Sequence, residues 1–127
     1  MYKLFLGSLL AALAASGQNR PSEQMEVFRA VSEALANQDV DAFLDQFDRQ
    51  MPEYEKLRDE IRELIATSQE IGSTLDLITL DANTVELDWL LKIDHAAPRR
   101  QIVKCQVAKQ GNKWKITALA PIEFFKK

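Results

Sequence analysis

Two periods divide the chain. Between residues 22 and 68 apolar positions recur every three to four residues, as they do on helices with one buried face. Met25, Phe28, Val31 and Leu35, with Val27 and Ala34 beside them, form the first stripe. Ser22 is placed to cap its helix, which runs to about Asn37. Asn37-Gln38-Asp39 breaks the run, and Asp39 can cap a second, shorter helix. That helix turns Val40, Phe43, Leu44 and Phe47 inward and Asp41, Asp45 and Asp48 outward. Met51-Pro52 ends it. Pro52 suits the first turn of a third helix, from about Glu53 to Ser68, with Leu57, Ile61, Leu64 and Ile65 inward. Lys56 and Glu60, four apart, are an expected ion pair on its outer face.

From Ser73 the period becomes two. Thr74 to Leu80 reads as a first strand and Asp81-Ala82-Asn83-Thr84 as a turn. In the second strand Val85, Leu87, Trp89, Leu91 and Ile93 alternate with Glu86, Asp88 and Lys92. Leu90 interrupts the polar face, which suggests that the outer surface is partly covered. Asp94 to Pro98 is a hairpin loop, Arg99 to Gln110 the third strand, Gly111-Asn112 a turn, and Lys113 to Ala120 the fourth. Pro121 interrupts, and Ile122 to Phe125 closes the pattern. Three helices before four hairpin-linked strands predict an α+β fold, with a curved antiparallel sheet packing its apolar face on the helices.

This order, with these residues, resembles the nuclear transport factor 2-like superfamily, including its bacterial polyketide-cyclase-like branch. The resemblance rests on Val27-Phe28-Arg29-Ala30-Val31 and on Asn37-Gln38-Asp39-Val40-Asp41-Ala42-Phe43-Leu44-Asp45-Gln46-Phe47. It rests also on Val85-Glu86-Leu87-Asp88-Trp89 and Gly111-Asn112-Lys113-Trp114-Lys115-Ile116. It covers about Ser22 to Phe125 and implies a cone-shaped fold with a pocket between helices and sheet. One departure is visible: the family's short strand between its second and third helices has no counterpart, because Met51-Pro52 leads straight into helix. The expected sheet therefore has four strands and lacks an edge strand.

The chain has 127 residues, enough for one domain. Residues 1–16 read as a signal peptide: Lys3, an apolar run from Leu4 to Ala15, then small residues at Ala14-Ala15-Ser16. Residues 17–21 read as a linker and residues 22–127 as a single domain. The apolar run is too short for a membrane span of about 20 residues, so the expected product is exported, periplasmic or extracellular, with no stable span once the leader is removed. Cys105 is the single cysteine, which excludes an internal disulfide. Its alternation with Val103 and Val107 marks it as a small buried hydrophobe.

Charge is unevenly spread. Residues 17–94 hold seven basic and eighteen acidic residues, whereas residues 95–127 hold eight basic and one acidic. The basic residues are split between both faces of the predicted strands and no nucleic-acid motif accompanies them, so no nucleic-acid partner is expected.

Candidate chemistry is sparse. His95, the single histidine, falls at a hairpin tip. Members of the superfamily that use a His–Asp pair would need a histidine on a helix or inner strand. Those that isomerise ketosteroids use a tyrosine from the first helix with two inward carboxyls. Neither set is present, so no catalytic residue is carried over. Asp76 and Asp88 interrupt strand runs and could meet across the first hairpin as a carboxyl pair, although alternation with Leu87 and Trp89 puts Asp88 on the outer face. No metal-ligand spacing, phosphate-cradling glycine loop or Ser/His/Asp set occurs, and no cofactor is expected. If the pocket is kept, Trp89 and Tyr54, with Phe28 and Phe47, would line it for a small apolar ligand, and Asp88 would be its polar group. The resulting expectation is a non-enzymatic binding or interaction module, with a homodimer through the sheet face among its arrangements. The alternatives are an isomerase-, cyclase- or dehydratase-type enzyme using a pocket carboxylate, and a structural accessory subunit of an envelope complex.

Overall fold

The computed structural model describes residues 21–127; the expected leader, and all but the last residue of the expected linker, lie outside them. Three helices, α1 (Pro21–Ala36), α2 (Val40–Leu44) and α3 (Tyr54–Ala66), precede four strands. These are β1 (Ile71–Asp81), β2 (Thr84–Ile93), β3 (Arg99–Gln110) and β4 (Lys113–Ala120), and a 3-10 turn, η1 (Ile122–Phe125), follows. The strands form one antiparallel meander in the order β1-β2-β3-β4. Two bulges sharpen its curl. Ile78 is the extra residue where β1 steps from Leu77↔Leu87 to Thr79↔Glu86. Thr117 is the extra residue where β4 steps from Ile116↔Val107 to Ala118↔Gln106.

The concave face meets the helices. Val85, Leu87, Trp89, Leu91 and Ile93 are all buried, which fixes the register of β2 as the alternation predicts. Facing them are Phe28, Val31 and Leu35 of α1, Phe43 of α2, and Leu57, Ile61 and Leu64 of α3. Gly111 turns the last hairpin at φ 64, a conformation that costs glycine little.

Several boundaries differ from the sequence expectation. Helix α1 begins at Pro21, so Ser22 lies inside the first turn instead of capping it. Asp39 does cap α2, accepting from the Ala42 amide at 3.0 Å, but α2 ends at Leu44. Phe47 leaves the helix for a parallel bridge to Ile116. Asp48 N–H donates to the Ile116 carbonyl and Ile116 N–H donates to the Gln46 carbonyl, each at 2.9 Å. The place of the missing edge strand is thus held by one residue on the free side of β4. Helix α3 starts at Tyr54, because Glu53 takes the left-handed conformation at φ 65. Strand β1 reaches three residues further back, where Ile71 pairs with Ile93. Lys56 does not pair with Glu60; its Nζ lies 2.7 Å from Glu123 on η1.

Candidate functional site

Aromatic rings pack against one another in the concave interior. Phe47 stacks on Phe43 with ring centroids 5.0 Å apart, and Phe43 meets the edge of Phe125 at 5.6 Å. Trp89 contacts Phe125 at 5.1 Å and Phe124 at 5.8 Å. Such edge-to-face packing is the geometry aromatic rings prefer. The η1 turn delivers two of these rings, Phe124 and Phe125, with buried Ile122 beside them, and acts as a plug. Charged residues fasten it. Arg99 Nη1 donates to the carbonyls of Phe124 at 2.8 Å and Lys126 at 2.6 Å, and Lys56 holds Glu123.

Several polar groups at the interior are bonded within the fold, whereas Glu60 Oε1 and Trp114 Nε1 are shielded with no partner among the described residues. The Trp89 indole N–H donates to Ser73 Oγ at 2.9 Å, and Ser32 Oγ donates to Ser73 Oγ at 2.8 Å, tying β2 through β1 to α1. Buried Gln24 donates to the Ala82 carbonyl and buried Ser68 to the Leu64 carbonyl.

The sequence-derived pocket set is therefore divided. Phe28 and Trp89 are fully buried. Phe47 is buried too, its ring stacked on Phe43. Tyr54 is half-buried and packs against the edge of the same core cluster. It borders an open groove between α2 and α3, together with Arg49, Arg58 and Arg62. Asp88 is on the opposite, convex face of the sheet. There Arg100 grips it with Nε at 2.9 Å and Nη2 at 2.6 Å. That hydrogen bond holds the Asp88 carboxyl below its usual range and raises Arg100 in turn. Asp76 is the register partner of Asp88, so the two carboxyls do adjoin, but outside the cone. His95 is exposed on the hairpin between β2 and β3.

Two features went unread in the sequence. One is the plug, whose only sign is the Phe124-Phe125 pair after Pro121. The other is the α2–α3 groove, signalled by Tyr54, Arg58 and Arg62 at intervals of four on one helix face. A second groove, of about 380 Å³, lies between the start of α1 and the β3–β4 hairpin. It is bordered by Lys109, Lys113 and Trp114, whose Nε1 is shielded and has no acceptor. Among the described residues no cluster of His, Cys, Asp or Glu could hold a metal ion, and no helix is long and apolar enough to cross a membrane.

Among the exposed large apolar side chains Leu90 and Ile102 lie on the convex face, whereas Leu77, 43% exposed, shares the inner-face register of Leu87. Leu90 is 38% and Ile102 46% exposed, on the same face of neighbouring strands; Ile78, at the β1 bulge, is 46% exposed. The Asp88–Arg100 and Glu86–Lys104 ion pairs, the latter at 3.6 Å, flank them.

No family model and no curated protein matches the chain. Solved structures do. Bd1075 of Bdellovibrio bacteriovorus is 15% identical with a TM-score of 0.63 over 77% of the chain, which spans 38% of that protein. A nuclear transport factor 2-like protein of unknown function from Shewanella oneidensis is 16% identical with a TM-score of 0.62; the match covers 79% of this chain and 97% of that one. A candidate scytalone dehydratase from Novosphingobium aromaticivorans is 10% identical with a TM-score of 0.58, covering 77% and 79% respectively. With the helix order, the curled meander and these neighbours together, the chain has the nuclear transport factor 2-like fold.

Proposed function

We propose that the protein is an extracytoplasmic, non-enzymatic interaction module that pairs with a second copy of itself through the convex face of the sheet. The observation that carries this reading is the aromatic packing inside the cone. Trp89, Phe43, Phe47, Phe124 and Phe125 occupy the place where a small apolar ligand or a substrate would sit. Two exposed apolar groups, Leu90 and Ile102, lie on the other side of the sheet. A two-fold interface needs a patch that is complementary to itself. Here Leu90 and Ile102 sit among acidic and basic side chains, Glu86, Asp88, Arg100 and Lys104, so a rotated copy can set opposite charges against one another around an apolar centre. Export is supported by the leader pattern of residues 1–16.

Sedimentation equilibrium of the protein and of Ile102→Glu tests the pairing. The expected result is a concentration-dependent dimer that Ile102→Glu converts to a folded monomer. A wild-type protein that stays monomeric at all concentrations, or a dimer untouched by Ile102→Glu, overturns the reading.

A further inference from the structure

The groove between α2 and α3 holds a concentration of positive charge that the packing does not use. Helix α3 places Tyr54, Arg58 and Arg62 four residues apart, hence on one face. Arg49 joins them from the turn after Phe47, and the four border a groove of about 630 Å³. Arginines four apart on a helix repel one another mildly, so helix stability does not explain the arrangement. Arg58 pairs only with its chain neighbour Asp59, through Nε at 3.4 Å, which leaves its two terminal nitrogens without an acceptor among the described residues. Arg49 and Arg62 make no ion pair, and the Tyr54 hydroxyl no hydrogen bond, among the described residues. The opposite wall, from α2, offers Asp41 and Asp45, yet neither lies within ion-pair distance of the arginines, and Asp45 is approached instead by Lys115 at 3.9 Å.

We infer that this groove binds a small phosphate monoester, with the phosphate among Arg49, Arg58 and Arg62 and the organic part against Tyr54 and Leu44. One guanidinium fork engages both oxygens of a carboxylate and neutralises its single charge. A phosphate monoester offers three terminal oxygens and nearly two charges, and can accept from several forks together. Leu44, almost wholly buried, and the Tyr54 ring supply an apolar floor. Asp41 and Asp45 limit the site to a ligand with one anionic end. A polyanion running along the groove would meet both carboxylates, which excludes a nucleic-acid backbone.

Phenyl phosphate is the probe for a soluble ligand, and vesicles of phosphatidylcholine doped with phosphatidic acid are the probe for the same group on a lipid. In an NMR titration phenyl phosphate is expected to give saturable shifts at the Tyr54 ring and the α3 amides. Arg58→Gln and Arg62→Gln should each weaken it by roughly tenfold or more, while Lys113→Gln, on the β3–β4 hairpin, leaves it unchanged. Phenylacetate, a carboxylate of similar size, should bind more weakly. Vesicle binding that the same two arginine variants abolish assigns the phosphate to a lipid; its absence alongside phenyl phosphate binding assigns it to a soluble ester. All three side chains project into a surface groove, so the glutamine variants keep the fold, checked by circular dichroism. Neither probe binding, or Lys113→Gln weakening phenyl phosphate as much as the arginine variants do, overturns the inference.

Discussion

Phe125→Ala tests whether η1 truly plugs the cone. Phe125 is fully buried and its ring lies against Phe43, Trp89 and Phe124 at centroid distances of 5.6, 5.1 and 5.2 Å. Truncating a phenylalanine so placed removes its transfer free energy and leaves a void that its neighbours fill only in part, a loss of about 3–5 kcal/mol. Collapse is opposed here because two of the neighbours are themselves anchored. Trp89 is held by its bond to Ser73, and Phe124 by Arg99 at its carbonyl. The loss should therefore fall toward the upper part of that range. A small domain has only about 5–15 kcal/mol in total, so Phe125→Leu, which leaves a smaller void and should cost less than the alanine, provides a milder companion. Urea melts give both values. An aromatic cavity of this kind stays dry and takes benzene, so benzene should restore part of the stability of Phe125→Ala and none of the wild type, by mass action on the folded state. A loss below about 1 kcal/mol for Phe125→Ala, with no response to benzene, would mean that the plug is not packed in the cone.

Other consequences follow from single contacts. Cys105 is buried and its thiol is pushed up to about 12 by burial, so a thiol reagent should label it only as fast as the protein unfolds; rapid labelling in native buffer would contradict this. Asp94 accepts from the amides of Glu70 and Gln69 at 2.8 and 2.7 Å, and these bonds lower its carboxyl below the ordinary 3.8. A depressed acid stabilises the fold above its unfolded value and loses that contribution as pH falls through the folded one, so acid melts should show stability dropping below about pH 4, with a shallower slope in Asp94→Asn. Glu60 has the opposite sign: burial raises it and its Oε1 is shielded without a partner, so Glu60→Gln should raise the melting temperature at pH 7 and change nothing once both states are protonated. Mass spectrometry of protein from its native envelope should find residues 1–16 missing, whereas intact Met1 in a cytoplasmic pool would refute export.

What could be read in the sequence was whatever a local period encodes. The alternation from Val85 to Ile93 gave the inner face of β2, and Val103, Cys105 and Val107 gave that of β3, because burial on one face leaves no freedom of register. Contacts between distant segments were hidden. Phe47 fits the helical stripe of α2 three residues after Leu44, yet backbone bonds to Ile116, far along the chain, draw it into a bridge. Lys56 has Glu60 at helical spacing, but Glu123 meets it across the plug. The plug itself has no periodic signature; only folding brings Phe124 and Phe125 against Trp89. A pocket lining and a packed core use the same inward positions, so the periodic pattern of the aromatic residues serves both readings equally. The arginine face of α3 was legible in spacing, but its convergence with Arg49 was not.

The central claim is that the convex face, with aromatic rings packed in the cone behind it, is where the protein associates. Isotope-filtered NOE spectra of a mixture of labelled and unlabelled protein read that face directly. The account predicts intermolecular NOEs to the methyl groups of Leu90 and Ile102. Intermolecular NOEs confined to the helical side, around Leu44 and Tyr54, or a complete absence of them at concentrations where the protein is otherwise well behaved, would contradict it.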